Sequence, residues 1–467
     1  MAQQSAPPEL PKRLPLVIQP ENRDETTAKD SKLVNGYAEK KEDTGEYMIY
    51  KRPGRALSRE LGTGTGLGIF NWLGDIYSAV GTNLYKAGSN LGTIDGTSPY
   101  SFSPILGGTQ RLFLHNNAKG YNYDGGAGLV AVADPDFPAA LVPGIAYLDA
   151  TAYVMDGNAN IYGSGINDTT SWDPLNKIVA QIEPDGGIAI GKQLVYVVAW
   201  KQWSTEIFYD AANATGSPLG RVDGAKVNYG CASAYSIQDI DGTLIWAATN
   251  RSSSMQIIMM DQLKPTIIST KPIERLLDTV DTSACQSWAL KHDGHRFYLL
   301  TFKNNNITLV YDLNERLWHQ WTEHSGVAEN YVKIQSATFG GALQHYLLHE
   351  SNGNIYTVDS TDYTDDGTQI TWDLYTSNYD AGMRSRSKTN SKLYVIGDQT
   401  PGCLIQIRHS DDDYQSWSNF STVDMNQALP SLPNRGTFYK RAHHLRHTVA
   451  GYLRLQELQL QLELGTN

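Results

Sequence analysis

Residues 183–210, EPDGGIAIGKQLVYVVAWKQWSTEIFYD, hold the pattern from which the fold is predicted. A Pro-Asp-Gly-Gly turn leads into residues 188–190, and two apolar runs follow at 194–200 and 206–208 with polar residues between them. Short β-branched and aromatic runs joined by a polar turn predict a β-hairpin. Because hairpins of this shape recur before and after it, the stretch indicates a radial, all-β architecture.

The hairpin pattern occurs about seven times along the chain. Successive copies start 35 to 52 residues apart, which is typical of four-stranded propeller blades with insertions. We therefore predict a β-propeller of seven blades, with six or eight as alternatives, and expect the strand at residues 46–50 to complete the last blade. The copies begin at Gly74, Thr109, Asp149, Lys192, Asp241, Asp293 and Leu343.

Sequence texture divides the chain into three parts. Residues 1–31 are polar and Pro-rich, which indicates an extended N-terminal arm, and residues 32–367 hold the hairpins of the propeller. Residues 368–467 contain longer alternating strands, above all 452–464, where leucines alternate with polar residues. That alternation predicts one buried and one solvated face, and hence a separate C-terminal β-sandwich.

Composition and charge narrow the classes of function. The chain has 49 acidic and 38 basic residues and a formal charge of −11, which argues against gripping DNA on a broad basic face but not against DNA passing through. Three cysteines without a close pair predict buried free thiols rather than disulfides or a zinc site. No apolar run suits a signal peptide or a membrane span.

Several motifs contain residue types that occur in functional sites, but none predicts catalysis or a cofactor. The glycine run at 62–68 lacks the Lys-Ser/Thr of a phosphate loop, and the aspartate-rich stretch at 359–380 predicts a solvated linker, with a bound cation as the alternative. Residues 410–417, SDDDYQSW, are similar to the Asp-box hairpin of sialidases and predict a turn brace. His443, His444 and His447 have no carboxylate nearby in sequence to orient them as metal ligands.

A basic strand pair is the candidate interface. Residues 435–454 contain five basic residues and no acidic one. Such a surface could touch nucleic acid or an acidic partner chain, and in an acidic protein a subunit contact is expected at least as much as DNA, with a solvated face as the alternative. The residues are Arg435, Lys440, Arg441, Arg446 and Arg454.

A group of short motifs carries a resemblance to a known family. They are Asn35-Gly36-Tyr37, Lys51-Arg52-Pro53-Gly54, the Pro-Asp-Gly-Gly block from Pro184 with the strand at 206–209, Gly230-Cys231-Ala232, Ser410-Asp411-Asp412 with Trp417, Lys440-Arg441 and the closing alternating strand. Together they resemble the tail accessory factors of short-tailed phages, the packaged-DNA stabilisation or tail-nozzle family.

The resemblance implies a structural virion protein of the tail, assembled in the host cytoplasm. Family membership would make the chain a subunit of a hexameric ring below the portal and its adaptor ring. That ring extends the DNA channel, retains packaged DNA that passes without sequence specificity, and carries or neighbours tail fibres or a tailspike and a plug or needle. No cofactor and no enzymatic turnover are expected.

A propeller lectin or glycan-degrading enzyme that acts on cell-surface polysaccharide is the alternative function. Trp200, Trp203, Trp318 and Trp321 would then stack on sugars, whereas packing between blades is the competing interpretation for Trp318 and Trp321. A closed oligomer without glycan turnover would favour the tail ring, and a monomer that depolymerises host glycan would favour the alternative.

Overall fold

β-strands dominate the computed structural model of the chain. It describes residues 12–14, 16, 19–20, 31–222, 224–252, 254–324, 329–340 and 343–465. Most of the predicted N-terminal arm lies outside these residues. The α-helix α1 covers Lys271–Leu277, and 3-10 turns cover Ala234–Ser236, Thr282–Ala284 and Lys303–Asn305.

The strands are numbered in chain order. The first are β1 (Lys12–Leu14), β2 (Lys32–Val34), β3 (Gly36–Lys40), β4 (Tyr47–Lys51), β5 (Gly54–Glu60), β6 (Gly66–Trp72), β7 (Asp75–Val80), β8 (Asn83–Lys86), β9 (Ser89–Thr93), β10 (Ser101–Ile105), β11 (Arg111–His115), β12 (Gly120–Tyr123), β13 (Leu129–Ala131), β14 (Ala146–Leu148), β15 (Thr151–Met155), β16 (Asn160–Gly165), β17 (Asp168–Val179), β18 (Gly187–Gln193), β19 (Tyr196–Lys201), β20 (Thr205–Asp210) and β21 (Leu219–Arg221). They continue with β22 (Gln238–Ile240), β23 (Thr243–Ala248), β24 (Gln256–Asp261), β25 (Lys264–Ile267), β26 (Cys285–His292), β27 (His295–Phe302), β28 (Ile307–Asp312), β29 (Leu317–Trp321), β30 (Glu323–His324), β31 (Glu329–Asn330), β32 (Ile334–Phe339), β33 (His345–His349) and β34 (Asn354–Asp359). The last are β35 (Thr364–Asp365), β36 (Thr368–Gln369), β37 (Trp372–Tyr375), β38 (Lys388–Gly397), β39 (Leu404–Ser410), β40 (Ser421–Asp424), β41 (Ser431–Phe438), β42 (Ala442–His447) and β43 (Arg454–Leu464).

Backbone contacts group the chain into two compact units. The propeller unit comprises Leu57–Asn306 and Lys333–Val358, and the sandwich unit comprises Met1–Ala56, Ile307–Val332 and Asp359–Asn467. The division predicted after residues 31 and 367 is based on local sequence composition and follows the order of the chain. The two units instead combine segments that are distant in sequence.

Seven groups of strands build the propeller unit. Five are four-stranded antiparallel sheets, β6–β9, β10–β13, β14–β17, β18–β21 and β22–β25, here called blades 1 to 5. The hairpin β26–β27 belongs to blade 6, and β32–β33–β34 to blade 7. The first strand of each group, or in blade 3 the residues 143–145 just before it, contributes to the wall of one central cavity. The last blade meets the first, since the Asn71 amide donates to Thr338 Oγ1 at 3.1 Å, so the predicted β-propeller is confirmed.

The prediction that residues 46–50 complete the last blade is wrong. β4 instead pairs with β3 and with β43 in the sandwich unit. The strand next to β34 in the sheet order is β5, which begins just after Pro53. Because Pro53 and Gly54 interrupt the chain between two strands, position in sequence alone did not show which of them joins the blade.

The apolar run in β19 reflects burial on both faces of its sheet. Val197 and Ala199 pack into the core between blades 3 and 4, and Val198 and Trp200 pack into the core between blades 4 and 5. Successive side chains point to opposite faces of a strand, so a strand between two neighbours must be apolar at every position. Burying each such large side chain contributes about 1.5–3 kcal/mol.

Two sheets share one core in the sandwich unit. One has the order β3-β4-β43-β38-β41, with β1 paired to β43, and the other contains β28-β29-β2-β37-β42-β39-β40. Leu455 and Leu460 of the first sheet pack with Trp372 and Leu445 of the second. Strands β2 to β4, assigned to the propeller from sequence, therefore belong to this core.

Candidate functional site

The predicted basic strand pair is largely occupied by contacts within the chain. Arg441 is buried, and its guanidinium donates to both carboxylate oxygens of Asp411 at 2.6 and 2.7 Å and to the carbonyl of Arg435 at 2.6 Å. Arg435 donates to the Ser421 hydroxyl at 2.9 Å. Both arginines therefore brace the turns of the sandwich unit.

The other three basic residues differ in how far they reach solvent. Arg446 donates to Asp373 at 2.7 Å, and Arg454 lies 3.5 Å from Asp398. Lys440 is the most exposed of the five, with 48% of its side chain accessible. An interface through these residues stays a prediction, and Lys440 is its most accessible member.

His444 has the orienting carboxylate that its sequence neighbours did not show. Its Nε2 lies 2.6 Å from Asp373 Oδ1, and its ring stacks on Tyr375 with centroids 3.9 Å apart. Burial lowers the pKa of His444 despite the bond to Asp373, which raises it. Among the described residues, no group of three or more His, Cys, Asp or Glu could hold a metal ion. His444 is therefore a packed structural residue.

The aspartate-rich stretch is not simply a solvated linker. Asp365 and Asp373 are both buried, and each pairs with an arginine. The linker interpretation is therefore wrong for these two residues. The partners, Arg52 and Arg446, come from distant parts of the chain. The absence of Lys and Arg within the stretch therefore did not exclude buried ion pairs.

Arg52 is the centre of a buried network, here called the Arg52 network. Its Nε donates to Asn35 Oδ1 at 2.9 Å, Nη1 to the Pro53 carbonyl and Asp365 Oδ1 at 3.0 Å each, and Nη2 to the Thr322 carbonyl at 2.9 Å and Asp365 Oδ2 at 2.5 Å. Every guanidinium N–H is therefore used. Burial would raise the pKa of Asp365, but the charges of Arg52 and Arg55 outweigh it and lower the pKa.

This geometry gives two of the short sequence motifs a physical role. Asn35 adopts a left-handed backbone conformation, with φ of 56°, and its Nδ2 donates to Thr322 Oγ1 and to the Thr371 carbonyl at 2.8 Å each. Asn tolerates this conformation better than most residues. The Asn-Gly-Tyr and Lys-Arg-Pro-Gly motifs thus meet in one network inside the sandwich unit.

A second buried network, the Lys201 network, surrounds the end of β19. The Lys201 ammonium is fully buried and lies 2.8 Å from Asp185 and 2.7 Å from Glu206. Glu206 also accepts from Arg221 at 3.2 Å and from the Ile182 amide at 2.8 Å. The hairpin pattern by itself predicts that Asp185 and Glu206 are turn and rim residues. Asp185 does lie in the turn, but both carboxylates are buried around one cation, so the rim interpretation is wrong.

The Pro-Asp-Gly-Gly turn is anchored through Asp185. Its carboxylate accepts from the Trp203 amide at 2.7 Å and from the Ser204 amide at 3.1 Å, besides pairing with Lys201. Burial would raise the pKa of Asp185, but the hydrogen bonds from Lys201 and Trp203 outweigh it and lower the pKa. A Lys and a Glu inside otherwise apolar strands were the sequence signal that could have revealed this network.

The four tryptophans of the sugar-binding alternative fall into two classes. Trp200, Trp318 and Trp321 expose at most 3% of their surface and pack against other side chains. Trp203 is half-buried and lines a groove of about 710 Å³ together with Tyr229. Three of the four therefore cannot stack on a glycan.

The central cavity of the propeller unit is small and mostly uncharged. It has a volume of about 460 Å³, and its charged lining residues are Lys192 and Asp239. In its wall, Gln238 Nε2 donates a hydrogen bond to the Ser287 carbonyl, and Gln286 Nε2 donates one to the Ile334 carbonyl. These hydrogen bonds join blade 5 to blade 6 and blade 6 to blade 7 at the cavity wall.

Two smaller predictions hold. Residues 410–417 form a turn brace in which Asp412 Oδ1 accepts from the Ser416 amide at 2.9 Å while Trp417 packs on Tyr414. All three cysteines are buried and free. Among the described residues, no helix is long and apolar enough to cross a bilayer.

Two of the solved structures that match the chain illustrate a weak likeness. A streptogramin B lyase is 11% identical over 65% of this chain and 96% of its own, with a TM-score of 0.42. YCF48 bound to a D1 peptide is 14% identical over 66% of this chain and 95% of its own, with a TM-score of 0.41. Likenesses at this level carry no argument about function. No curated protein matches the chain.

A protein-family match is more informative. The family described as "Phage_stabilise: Bacteriophage P22 Gp10, beta-propeller" matches residues 13–363. That range contains the Asn-Gly-Tyr, Lys-Arg-Pro-Gly and Pro-Asp-Gly-Gly motifs, with most of the Arg52 network and the whole Lys201 network; the Asp-box turn and the basic strand pair lie beyond it. The chain therefore belongs to the bacteriophage P22 Gp10 β-propeller family, whose members are structural, DNA-stabilising proteins of the phage tail.

Proposed function

We propose that this chain is a ring subunit of a short-tailed phage's tail nozzle or hub, placed below the portal and its adaptor ring. There the ring extends the DNA channel, retains packaged DNA and supports tail fibres or a tailspike and a plug or needle. The family match carries this proposal, because the family is one of tail proteins that stabilise packaged DNA.

The size of the central cavity supports a channel built from several copies. A volume of about 460 Å³ is in the range of small-ligand pockets. The major groove alone of a B-DNA duplex is about 12 Å wide. DNA cannot thread such a cavity, so a channel for DNA requires copies of the chain arranged around a wider lumen.

The charge distribution supports passage of DNA rather than capture. The chain carries a formal charge of −11, and all five basic residues of the basic strand pair contact groups of the same chain, Lys440 through Asp413 at 3.7 Å. A lumen lined by free Lys and Arg would hold phosphates through counterion release. An acidic subunit whose arginines are internally paired lets the duplex slide.

Mass measurement tests the proposal. The chain has a mass of 51.6 kDa, so mass photometry of the purified chain, alone and with the adaptor of the same phage, is expected to show a closed assembly of six copies. A chain that stays single in both samples at micromolar concentration contradicts the ring. The same samples should leave host surface glycan intact.

One observation favours a second candidate function, glycan binding. The groove with Trp203 and Tyr229 also presents Asn228 and Asn250, a combination of aromatic and amide groups that suits a sugar. Saturable binding of host surface polysaccharide, lost in Trp203→Ala, would support it. Binding unchanged in that variant would remove the groove from consideration.

A further inference from the structure

The two rims of the propeller unit differ in their exposed apolar residues. In an antiparallel blade the turn between the first and second strands and the turn between the third and fourth lie at the same end. The innermost strands line one cavity, so these turns from all blades form one rim, here called the AB rim. The turns between second and third strands and the links between blades form the opposite rim.

Exposed large hydrophobic residues concentrate on the AB rim. The described residues of the propeller unit include thirteen such side chains, and seven of them lie in or beside AB-rim turns, with exposures from 46% to 81%. The opposite rim has two, Ile182 at 46% and Ile267, the last residue of β25, at 43%. Single exposed leucines are ordinary, but a one-sided cluster marks a surface that another molecule covers. The seven are Leu73, Leu106, Ile166, Leu194, Val195, Phe339 and Leu343.

Three of these leucines occupy positions that disfavour leucine. Leu73, Leu194 and Leu343 have φ of 54°, 53° and 56°, in the left-handed region that Gly, Asn and Asp tolerate. In the equivalent turns of blades 5 and 6, the left-handed position is occupied by Asp241 and Asp293. Each leucine strains the backbone and gains little burial within the chain.

The exposed residues follow one another around the ring. Blades 7, 1, 2 and 4 present them in turns after their first strands, and blade 3 presents Ile166 in its second AB-rim turn. Blade 7 adjoins blade 1, where the Gly66 amide donates to the Glu350 carbonyl at 3.0 Å. The apolar residues therefore lie on five successive blades, an arc of the AB rim, while blades 5 and 6 complete the rim with Asp-Gly turns.

The charges beside the arc are paired with one another. Lys86 lies 3.1 Å from Asp75, Arg111 donates to Asp168 at 2.8 Å, and Lys291 lies 2.6 Å from Asp241. Two copies that each carry a net charge of −11 repel each other electrostatically. The repulsion is smallest where the charged side chains of each copy are already neutralised by partners in the same copy. This favours a second copy of the acidic chain over DNA or an anionic membrane as the molecule that covers the arc.

We propose that the apolar arc of the AB rim is the surface through which a subunit contacts the neighbouring copy in the assembled ring. This inference rests on the proposed function, because a ring requires such a contact. Permanent interfaces are more apolar than the remaining surface, and the burial of exposed leucines favours association.

The test replaces three leucines without harming the fold. In the variant Leu73→Asn, Leu194→Asn, Leu343→Asn, asparagine suits the left-handed backbone, so each subunit keeps or raises its thermal stability. Mass photometry, in whichever sample the wild-type chain assembles, should show half-assembly at a concentration at least about tenfold higher. The matched control, Leu175→Asn with Ile182→Asn, removes exposed apolar residues away from the AB rim and should assemble like wild type.

Each outcome has a separate meaning. A triple variant that assembles at the wild-type concentration overturns the arc as an interface and leaves the ring proposal standing. A control that loses assembly as fully as the triple variant also overturns it. A wild-type chain that never assembles, alone or with the adaptor, refutes the proposed function itself, and the interface with it.

Discussion

Replacing the buried lysine of the Lys201 network should destabilise the propeller unit far more than replacing an exposed one. Lys201 lies 2.8 Å from Asp185 and 2.7 Å from Glu206, and all three side chains expose at most 1% of their surface. At an effective dielectric constant of about 20, each contact is worth about 6 kcal/mol of Coulomb energy, most of it offset by desolvation of the ions. Lys201→Met leaves two buried carboxylates without that cation.

The remaining partners set the size of the loss. Asp185 keeps the Trp203 and Ser204 amides, and Glu206 keeps Arg221. Removing one member of a buried ion pair costs about 3–5 kcal/mol, and we expect Lys201→Met to fall in that range. The control Lys226→Met breaks a pair with Glu183 in which both side chains are about 30% exposed, and it should cost less than about 1 kcal/mol.

Urea unfolding at pH 7, followed by tryptophan fluorescence, compares the variants. The free energy of unfolding should fall by the amounts above, and part of the loss should return when Asp185→Asn and Glu206→Gln are added, because no uncompensated charge then stays buried. Equal costs for Lys201→Met and Lys226→Met would refute the assignment of Lys201 as the cation that neutralises this network.

Three further predictions concern the two units separately. Arg52→Met should cost about 3–5 kcal/mol of unfolding free energy, and a double-mutant cycle with Asp365→Asn should show coupling above about 1 kcal/mol; additive costs would contradict the direct pairing. Lys51 is buried, and its burial, together with the smaller effect of the Arg52 charge, lowers its pKa from 10.5 to about 7. Between pH 7 and 10.5 the folded chain therefore binds fewer protons at Lys51 than the unfolded chain does. The stability of wild type relative to Lys51→Met should therefore rise by up to about 5 kcal/mol from pH 7 to 10.5, and a flat difference in urea titrations would oppose this. Gly144→Ala should prevent correct closure of the blades, since a Cβ would lie 1.7 Å from the Ile190 carbonyl oxygen. The control Gly125→Ala, also at a positive φ but with no atom nearer to the Cβ than the Tyr123 hydroxyl at 4.0 Å, should cost about 1 kcal/mol in thermal unfolding, and equal costs would contradict the close approach at Gly144.

Local patterns in the sequence predicted the propeller because each blade is made of neighbours in the chain. Each of the seven predicted hairpin copies contains two strands of the structure. In β19 the continuous apolar run predicted burial, and in β43 the alternating leucines predicted a sandwich face. The change of phase between Leu455 and Leu458 is absorbed by a register shift opposite Ile396 and Gly397, a detail that no period of two predicts.

The charged networks could not be predicted because their members are distant in sequence. Arg52 and Asp365 are separated by 313 residues, and His444 and Asp373 by 71. A carboxylate between predicted strands is expected to be solvated until its partner is known, which is why the linker interpretation is wrong for Asp365 and Asp373. Charged residues inside apolar strands, such as Lys201, were the available clue.

The sequence by itself determined the β-propeller, the free cysteines and, through short motifs, the resemblance to phage tail proteins, because hairpins, turns and motifs are local. Only the tertiary structure decided that β4 belongs to the sandwich unit, that the Pro-Asp-Gly-Gly turn is anchored on a buried lysine, and that exposed leucines gather on one rim. Those features depend on which distant segments meet, and a chain's local pattern does not encode the partner of a buried charge or the side of a ring on which a turn lies.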